Sequence, residues 1–138
     1  MIPASKSQLQ QAFHTHLIAS GQTKGISSHL LLFYASECGL KSIWLKTTNL
    51  KTTDELGARD LISKYGHNLA AWQKELKIPA NQVKDTPRFD LAKSGLNLDI
   101  SKAHEAWRYN ISMKSQDQKA LVEWLSSLCN WIKENIDR

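Results

Sequence analysis

The stretch His29–Leu45 reads HLLLFYASECGLKSIWL and is the most apolar run of the chain. Wound as an α-helix, it presents apolar side chains on nearly every side, and such a helix belongs in the interior of a helical protein. Only Glu37 and Lys41 are charged within it, four residues apart with the acid first, so they share one helix face. Tyr34 lies three residues before Glu37 and joins the same stripe. The stretch therefore predicts a central helix that carries a phenol, an acid and a base along one side.

This polar stripe has two interpretations. Glu37 and Lys41 can form a structural ion pair, which contributes about 0.3–0.5 kcal/mol if it is exposed. If the pair is buried, removing one partner costs roughly 3–5 kcal/mol because the other charge is stranded. Alternatively, Tyr34, Glu37 and Lys41 line a functional groove. Taken alone, the stretch favours the structural ion pair.

Two more long helices are predicted, one on each side of the central helix along the chain. Residues 5–20 carry an apolar side chain at every fourth position, after a cap at Ser5 or Ser7. The last helix is capped by Ser115 and keeps helical apolar spacing as far as Ile136. It should pack along the central helix, because only that helix has a matching length.

The central helix is predicted to begin after a cap at Ser27 or Ser28 and to end near Lys46, before a loop at 47–53. Capping residues, glycines and prolines mark the ends of several shorter predicted helices. They are 55–64 after Asp54, a helix opened by His67–Asn68 and closed by Pro79, one or two turns over 88–93, and a helix from Asp99 or Ser101 to Tyr109. Together these segments predict one domain over 1–138 with an all-α fold, an up-and-down bundle of four to five helices.

The composition is that of an ordinary globular domain, with 138 residues, 41% hydrophobic and 22% charged. The net charge of +5 favours an anionic partner such as nucleic acid, although the lysines are spread along the chain without a dense run. No window approaches the ~18 uncharged apolar residues of a membrane span. The N-terminal residues lack the apolar core of a signal peptide. We therefore expect a cytoplasmic protein without membrane contact.

The sequence contains none of the common motifs of metal or nucleophilic chemistry. It has no Gly-rich phosphate loop, no HExxH, no paired CxxC and no GxSxG elbow. The five histidines show no ligand spacing, and Cys38 and Cys129 lie in apolar helical patterns typical of free buried thiols. The sequence therefore predicts neither a metal site nor a cofactor.

His67 and Asn68 form the first candidate group outside the central helix. They lie at a predicted helix start, where free backbone N–H groups favour anions. The same field would favour the neutral form of the His67 ring. Either residue can instead simply cap the helix.

Residues 104–109 form a second candidate group. His104 and Arg108 are four residues apart and share a helix face. Trp107–Tyr109 alternates aromatic, basic and aromatic side chains. Such a run can stack bases and hold phosphate, or its rings can anchor the core around a surface charge.

These groups together resemble the HEPN superfamily of small helical bundles. The resemblance rests on Tyr34-x-x-Glu37-Cys38-x-Leu40-Lys41 in a central helix and on His67-Asn68-Leu69 at the start of another. The run Trp107–Tyr109 before a long last helix also fits the later part of some members. The resemblance covers about residues 7–135.

The resemblance implies a helical bundle, generally a homodimer with its site at the dimer seam. The superfamily includes metal-independent ribonucleases, many of them toxins or defence effectors. It also includes relatives without catalysis that bind RNA, a nucleotide or a protein partner such as a small nucleotidyltransferase. The ribonuclease branch carries an Arg-x(4–6)-His motif. Here seven residues separate Arg59 from His67, and His104 precedes Arg108, so the standard motif is missing.

Three hypotheses follow. The first is a HEPN-like domain of a defence or toxin–antitoxin system that binds RNA, a nucleotide or a protein partner. Its candidate binding residues are Tyr34, Glu37, Lys41, Asn68 and Tyr109.

The second hypothesis is a metal-independent endoribonuclease. A base must activate the 2′-hydroxyl and a cation must lie near the phosphate. His67 or His104 would be the base, and Arg108 or Lys41 the cation. The third hypothesis is a purely structural adaptor bundle in which Glu37 and Lys41 form an internal ion pair.

Overall fold

The computed structural model describes residues 2–137, which form six α-helices, one 3₁₀ turn and a two-stranded hairpin. The helices are α1 (Lys6–Gln22), α2 (Ile26–Thr47), α3 (Arg59–Tyr65), α4 (Leu69–Glu75), α5 (Ala103–Arg108) and α6 (Ser115–Asn135). The antiparallel strands are β1 (Phe89–Asp90) and β2 (Asn97–Leu98), and the 3₁₀ turn Ile100–Lys102 leads into α5. The fold is therefore predominantly helical, which confirms the predicted class. None of the helices within residues 2–137 has the length and apolarity needed to cross a membrane.

Helix α2 is the central element. It packs against α1, α4, α5 and α6, and its buried side chains point to several sides. At Gly39, a Cβ atom would lie 2.6 Å from a methyl carbon of Ile132 and 2.9 Å from the ring of Phe13. The glycine thus lets α1 and α6 approach α2 closely. The prediction that the apolar stretch forms a central helix, with the last helix packed along it, is confirmed.

The number of helices differs from the prediction of four to five. Three helices are long, with 17, 22 and 21 residues, whereas α3, α4 and α5 have only six or seven residues each. Short helices contribute few backbone hydrogen bonds of their own, so packing must stabilise them: α4 and α5 pack against α2, and α3 packs against α4.

The start of α1 is capped as predicted, and it holds the loop after α2. The Ser5 hydroxyl accepts a hydrogen bond from the Gln8 backbone, and the Gln8 side chain accepts one from the Ser5 backbone. The backbone N–H of Lys6 donates to the carbonyl of Lys51, at 3.1 Å. The backbone N–H of Thr53 donates to Ala4 at 2.9 Å. The predicted loop is therefore tied to the N-terminal segment.

Two predicted helix starts are wrong. Helix α2 begins after Gly25 rather than after Ser27 or Ser28, because Gly25 takes a positive φ of 71° that turns the chain directly into the helix. Helix α3 begins at Arg59 rather than near Glu55. The Glu55 carboxylate accepts hydrogen bonds from two preceding backbone N–H groups and so holds a turn instead.

The predicted helical turns over 88–93 are also wrong. Phe89 pairs with Leu98 in the hairpin, and its side chain is fully buried. The backbone N–H of Asp90 donates to the Asp117 carboxylate of α6, at 2.8 Å. The backbone hydrogen bonds of residues 89–90 are therefore made with partners distant in the sequence, and these bonds keep the segment extended. Helix α6 was predicted to begin after a cap at Ser115, but it begins at Ser115, with Lys114 in the N-cap position.

Candidate functional site

Most of the candidate residues meet on one side of α2. Six of them form a contiguous group, hereafter the polar cluster: Tyr34, Glu37, Lys41, His67, His104 and Arg108. They come from α2, from the residue before the cap of α4, and from α5.

Glu37 links α2 to the start of α4. Its Oε2 accepts a hydrogen bond from Lys41 Nζ at 3.3 Å, and its Oε1 accepts one from Nδ1 of His67. The Glu37 and Lys41 side chains are only 12% and 14% exposed, whereas His67 is 47% exposed. A carboxylate only accepts hydrogen bonds, so Nδ1 of His67 carries a proton and, in the neutral ring, Nε2 presents its lone pair. The predicted ion pair thus exists, and the same carboxylate also orients an imidazole.

The rings of His67 and His104 lie against each other, with their centroids 4.2 Å apart. His104 is only 4% exposed, and its other face packs against Phe33 at a centroid distance of 5.2 Å. Its Nδ1 atom is buried and has no hydrogen-bond partner among the described residues. An unsatisfied buried polar atom costs about 1–3 kcal/mol and therefore requires an explanation.

Arg108 connects α5 to the other end of the polar stripe. Its Nη2 donates a hydrogen bond to the Tyr34 hydroxyl at 3.0 Å, across 74 residues of sequence. This bond raises the pKa of the guanidinium further above neutral pH. The Arg108 side chain is exposed and can hold a phosphate through two parallel hydrogen bonds.

The charge state of Glu37 reflects opposing effects. Burial raises its pKa, but the hydrogen bond from His67 and the charge of Lys41 outweigh burial, and the net pKa is lower than normal. Glu37 is therefore a carboxylate at neutral pH. It is an acceptor and an orienting group, not a proton donor.

The pKa of His104 is lower than that of a free imidazole. Burial lowers its pKa most, and the charges of His67 and Arg108 lower it further. His104 is therefore neutral at pH 7, and its burial makes it a weaker base than an exposed imidazole.

Local interactions explain the position of His67. Gly66 has a φ of 48° and ends α3, and the Trp72 indole donates to its carbonyl at 3.1 Å. On the other side, the Asn68 side chain accepts a hydrogen bond from the backbone of Ala71 at 3.2 Å and caps α4. Asn68 was a predicted binding residue, but its side chain oxygen is used by the helix, which is the capping role.

The aromatic run at the end of α5 divides between core and surface. Trp107 is 2% exposed, and its indole donates to Gln118 of α6 at 3.1 Å. Tyr109 is 62% exposed, and the guanidinium carbon of Arg108 lies 5.8 Å from its ring centre. Trp107 is therefore a core anchor, while Tyr109 remains available at the surface.

Two further kinds of group bear on the chemistry of the cluster, metal ligands and thiols. No group of three His, Cys, Asp or Glu side chains within residues 2–137 is arranged to hold a metal ion. Cys38 follows Glu37 in α2, and burial together with the charge of Glu37 raises the pKa of its thiol to about 11. The thiol is therefore protonated at neutral pH and is a poor nucleophile.

The polar cluster combines exposed and buried members. Arg108 and His67 are exposed, whereas Glu37, Lys41 and His104 are largely buried. A groove of about 640 Å³ exists elsewhere, with Lys84, Asp85, Glu123 and Trp124 in its lining, and it includes no member of the cluster. The exposed guanidinium and imidazole can contact a ligand that lies along the surface.

Sequence reasoning did not identify two neighbours of the cluster. Phe33 supports the ring of His104, and the His16 ring of α1 lies 6.3 Å from the Tyr34 ring. No local sequence pattern points to His16, because only the packing of α1 on α2 brings it close to Tyr34.

Comparison with known proteins finds no matching family model, no similar curated protein and no similar solved structure. The function must therefore be inferred from the polar cluster itself.

Proposed function

We propose that this chain is a cytoplasmic HEPN-like helical domain that binds RNA through the polar cluster. The observation that carries the proposal is the grouping of the exposed Arg108 and the partly exposed His67 around His104, with Arg108 bonded to the Tyr34 hydroxyl. The chain's net charge of +5 adds long-range attraction for a polyanion.

Arg108 is the main phosphate ligand in this proposal. Its guanidinium is exposed, and the hydroxyls of Tyr34 and Tyr109 both contact it, while its other N–H groups can donate to phosphate oxygens. Lys41 is mostly buried and already paired with Glu37, so it contributes less. His67 lies at the partly exposed end of the cluster and can contact the sugar or the phosphate.

Fluorescence anisotropy with a labelled RNA oligonucleotide at low salt tests the proposal. Arg108→Ala should weaken binding at least about 5-fold and reduce the slope of log K against log salt concentration by about 1. Arg59→Ala is the matched control, because Arg59 is also exposed and lies outside the polar cluster. Equal losses in both variants, or no binding by the wild type, would contradict the proposal.

A second function, metal-independent cleavage of RNA, is favoured by the hydrogen bond between Glu37 and His67 next to neutral His104. The imidazole lone pair removes the 2′-hydroxyl proton, and the resulting oxygen attacks the phosphorus. The bond from phosphorus to the 5′-oxygen breaks, and a protonated imidazole returns a proton to that oxygen. The products are a 2′,3′-cyclic phosphate and a 5′-hydroxyl, while Arg108 stabilises the charge on phosphorus.

A cleavage assay with chelator present separates the two functions. If the protein is a nuclease, wild-type protein cuts RNA but not the same sequence as DNA, which lacks the 2′-hydroxyl. His67→Ala and Arg108→Ala should each abolish cutting, whereas Arg59→Ala should not. Binding without cutting by the wild type would leave RNA binding as the function and exclude this reaction.

The resemblance also suggests a homodimer and a protein partner, and both are part of the proposal. Light scattering on the purified chain measures the oligomeric state, and a strict monomer that has no RNA affinity would favour the structural adaptor. For an adaptor, Glu37→Gln should lower stability without changing any binding.

A further inference from the structure

Tyr109 is an exposed aromatic side chain that contacts Arg108, the phosphate ligand of the proposed function. It is 62% exposed, and no other Phe, Tyr or Trp within residues 2–137 is exposed to a similar degree. Its ring is not needed for the core, because the neighbouring Trp107 already anchors α5. An exposed aromatic ring paired with an arginine is an arrangement on which the bases of single-stranded nucleic acids stack.

The backbone that carries Tyr109 is firmly held. Its N–H donates to the carbonyl of Glu105 at 3.0 Å, and the N–H of Ile111 donates to Ala106 at 2.8 Å. Asn110 between them takes a positive φ of 56°, which closes the helix end. The backbone position of Tyr109 is therefore set by the end of α5 rather than by a free loop.

Tyr109 also lies next to the phosphate ligand. The guanidinium of Arg108 lies 5.8 Å from the Tyr109 ring centre and is held by the Tyr34 hydroxyl at 3.0 Å. One helix end thus presents a fixed cation over an aromatic ring that is otherwise 62% exposed. A nucleotide offers the complementary pair, because its base has a flat π face and its phosphate is an anion.

We propose that Tyr109 stacks on an unpaired base of the RNA whose phosphate Arg108 binds, so that the polar cluster selects single-stranded RNA. In a duplex, each base face is already covered by its neighbours, and no face is free for the ring. This inference rests on the proposed RNA binding and specifies the ligand class of the same face.

Three variants test the stacking: Tyr109→Ala, Tyr109→Phe and Leu56→Ala. Tyr109→Phe keeps the ring and removes the hydroxyl together with its contact to Arg108. Leu56 is an exposed apolar side chain of another segment, so its replacement controls for loss of surface area alone. The probes are a labelled 12-nucleotide single-stranded RNA and the same strand annealed to its complement.

We expect wild type to prefer the single strand. Tyr109→Ala should weaken single-strand binding at least about 5-fold, since stacking on one aromatic ring contributes roughly that much or more per base. Tyr109→Phe and Leu56→Ala should stay within about 2-fold of wild type. An RNA carrying 2-aminopurine should show fluorescence quenching on binding that is lost in Tyr109→Ala.

Failure of stacking and failure of RNA binding give different results. If Arg108→Ala weakens binding but Tyr109→Ala does not, the phosphate site stands and the stacking proposal is overturned. Equal affinity for duplex and single strand, or equal losses in Tyr109→Phe and Tyr109→Ala, also overturns it. If wild type binds neither probe, the proposed function itself is wrong.

Discussion

Replacing Gly39 with alanine should destabilise the protein, although alanine is the better helix former. Gly39 lies in the middle of α2 where α1 and α6 meet it. The added Cβ would come within 2.6 Å of Cγ2 of Ile132 and 2.9 Å of Cδ1 of Phe13. Both neighbours are fully buried, so neither side chain can swing into solvent to make room.

The expected magnitude follows from two opposing effects. Forcing extra atoms into a packed core costs about 1–3 kcal/mol. Replacing glycine by alanine inside a helix returns about 1 kcal/mol. Because Ile132 is stiff at its branched carbon and Phe13 is enclosed, we expect the upper part of the range and a net loss of about 1–2 kcal/mol.

Urea unfolding followed by circular dichroism measures the change in free energy of unfolding. Gly21→Ala is the matched control, because Gly21 lies in α1 with no other heavy atom within 4 Å of its Cβ position. That variant should be more stable by about 0.5–1 kcal/mol. Ile132→Ala should cost about 2–5 kcal/mol in the wild type. It should cost less in the Gly39→Ala background by about 1 kcal/mol, because it removes the clashing methyl group.

The reasoning would be refuted if Gly39→Ala stabilised the protein as much as Gly21→Ala does. That result would mean that the three helices are not in close contact at Gly39. Additive effects of Gly39→Ala and Ile132→Ala would refute the specific clash with Ile132.

Four other predictions concern the site and its surroundings. The pKa of His104 is lowered in the folded state, so the folded state binds fewer protons than the unfolded state. The stability present above the normal pKa of 6.5 should therefore fall as the pH drops through the folded pKa. Thermal melts from pH 8 to 5 should show this decline, and His104→Phe should flatten it. Glu37→Gln should lower the free energy of unfolding, measured with urea, by about 2 kcal/mol at pH 7. The folded state lowers the pKa of Glu37, so this difference in stability from wild type should shrink as the pH falls below the normal carboxyl pKa of 4.5. Asn68→Ala should cost about 1 kcal/mol through loss of the α4 cap, with RNA affinity unchanged in the anisotropy assay; a large loss of affinity would restore its binding role. Burial raises the pKa of the Cys38 and Cys129 thiols to about 11, so a maleimide should label the native protein slowly at pH 7 and label both thiols rapidly in denaturant.

Much of the helical framework was predictable, because its signals are local. A near-continuous apolar run makes α2 central wherever its partners lie. The stripe of Tyr34, Glu37 and Lys41, and the shared face of His104 and Arg108, follow from the helical period alone. The hairpin at 89–98 was not predictable from local signals, because the backbone of Asp90 is held by Asp117 from α6.

The site shows the same division. The sequence by itself determined which side chains share a helix face, since that depends only on 3.6 residues per turn. Only the tertiary structure decided that His67 meets Glu37 and His104, that Arg108 reaches Tyr34, and that Asn68 is used as a cap. It likewise decided that Trp107 is buried while Tyr109, two residues later, is exposed. Contacts between distant segments depend on how all the helices pack together in the core. No short stretch of the chain determines that packing.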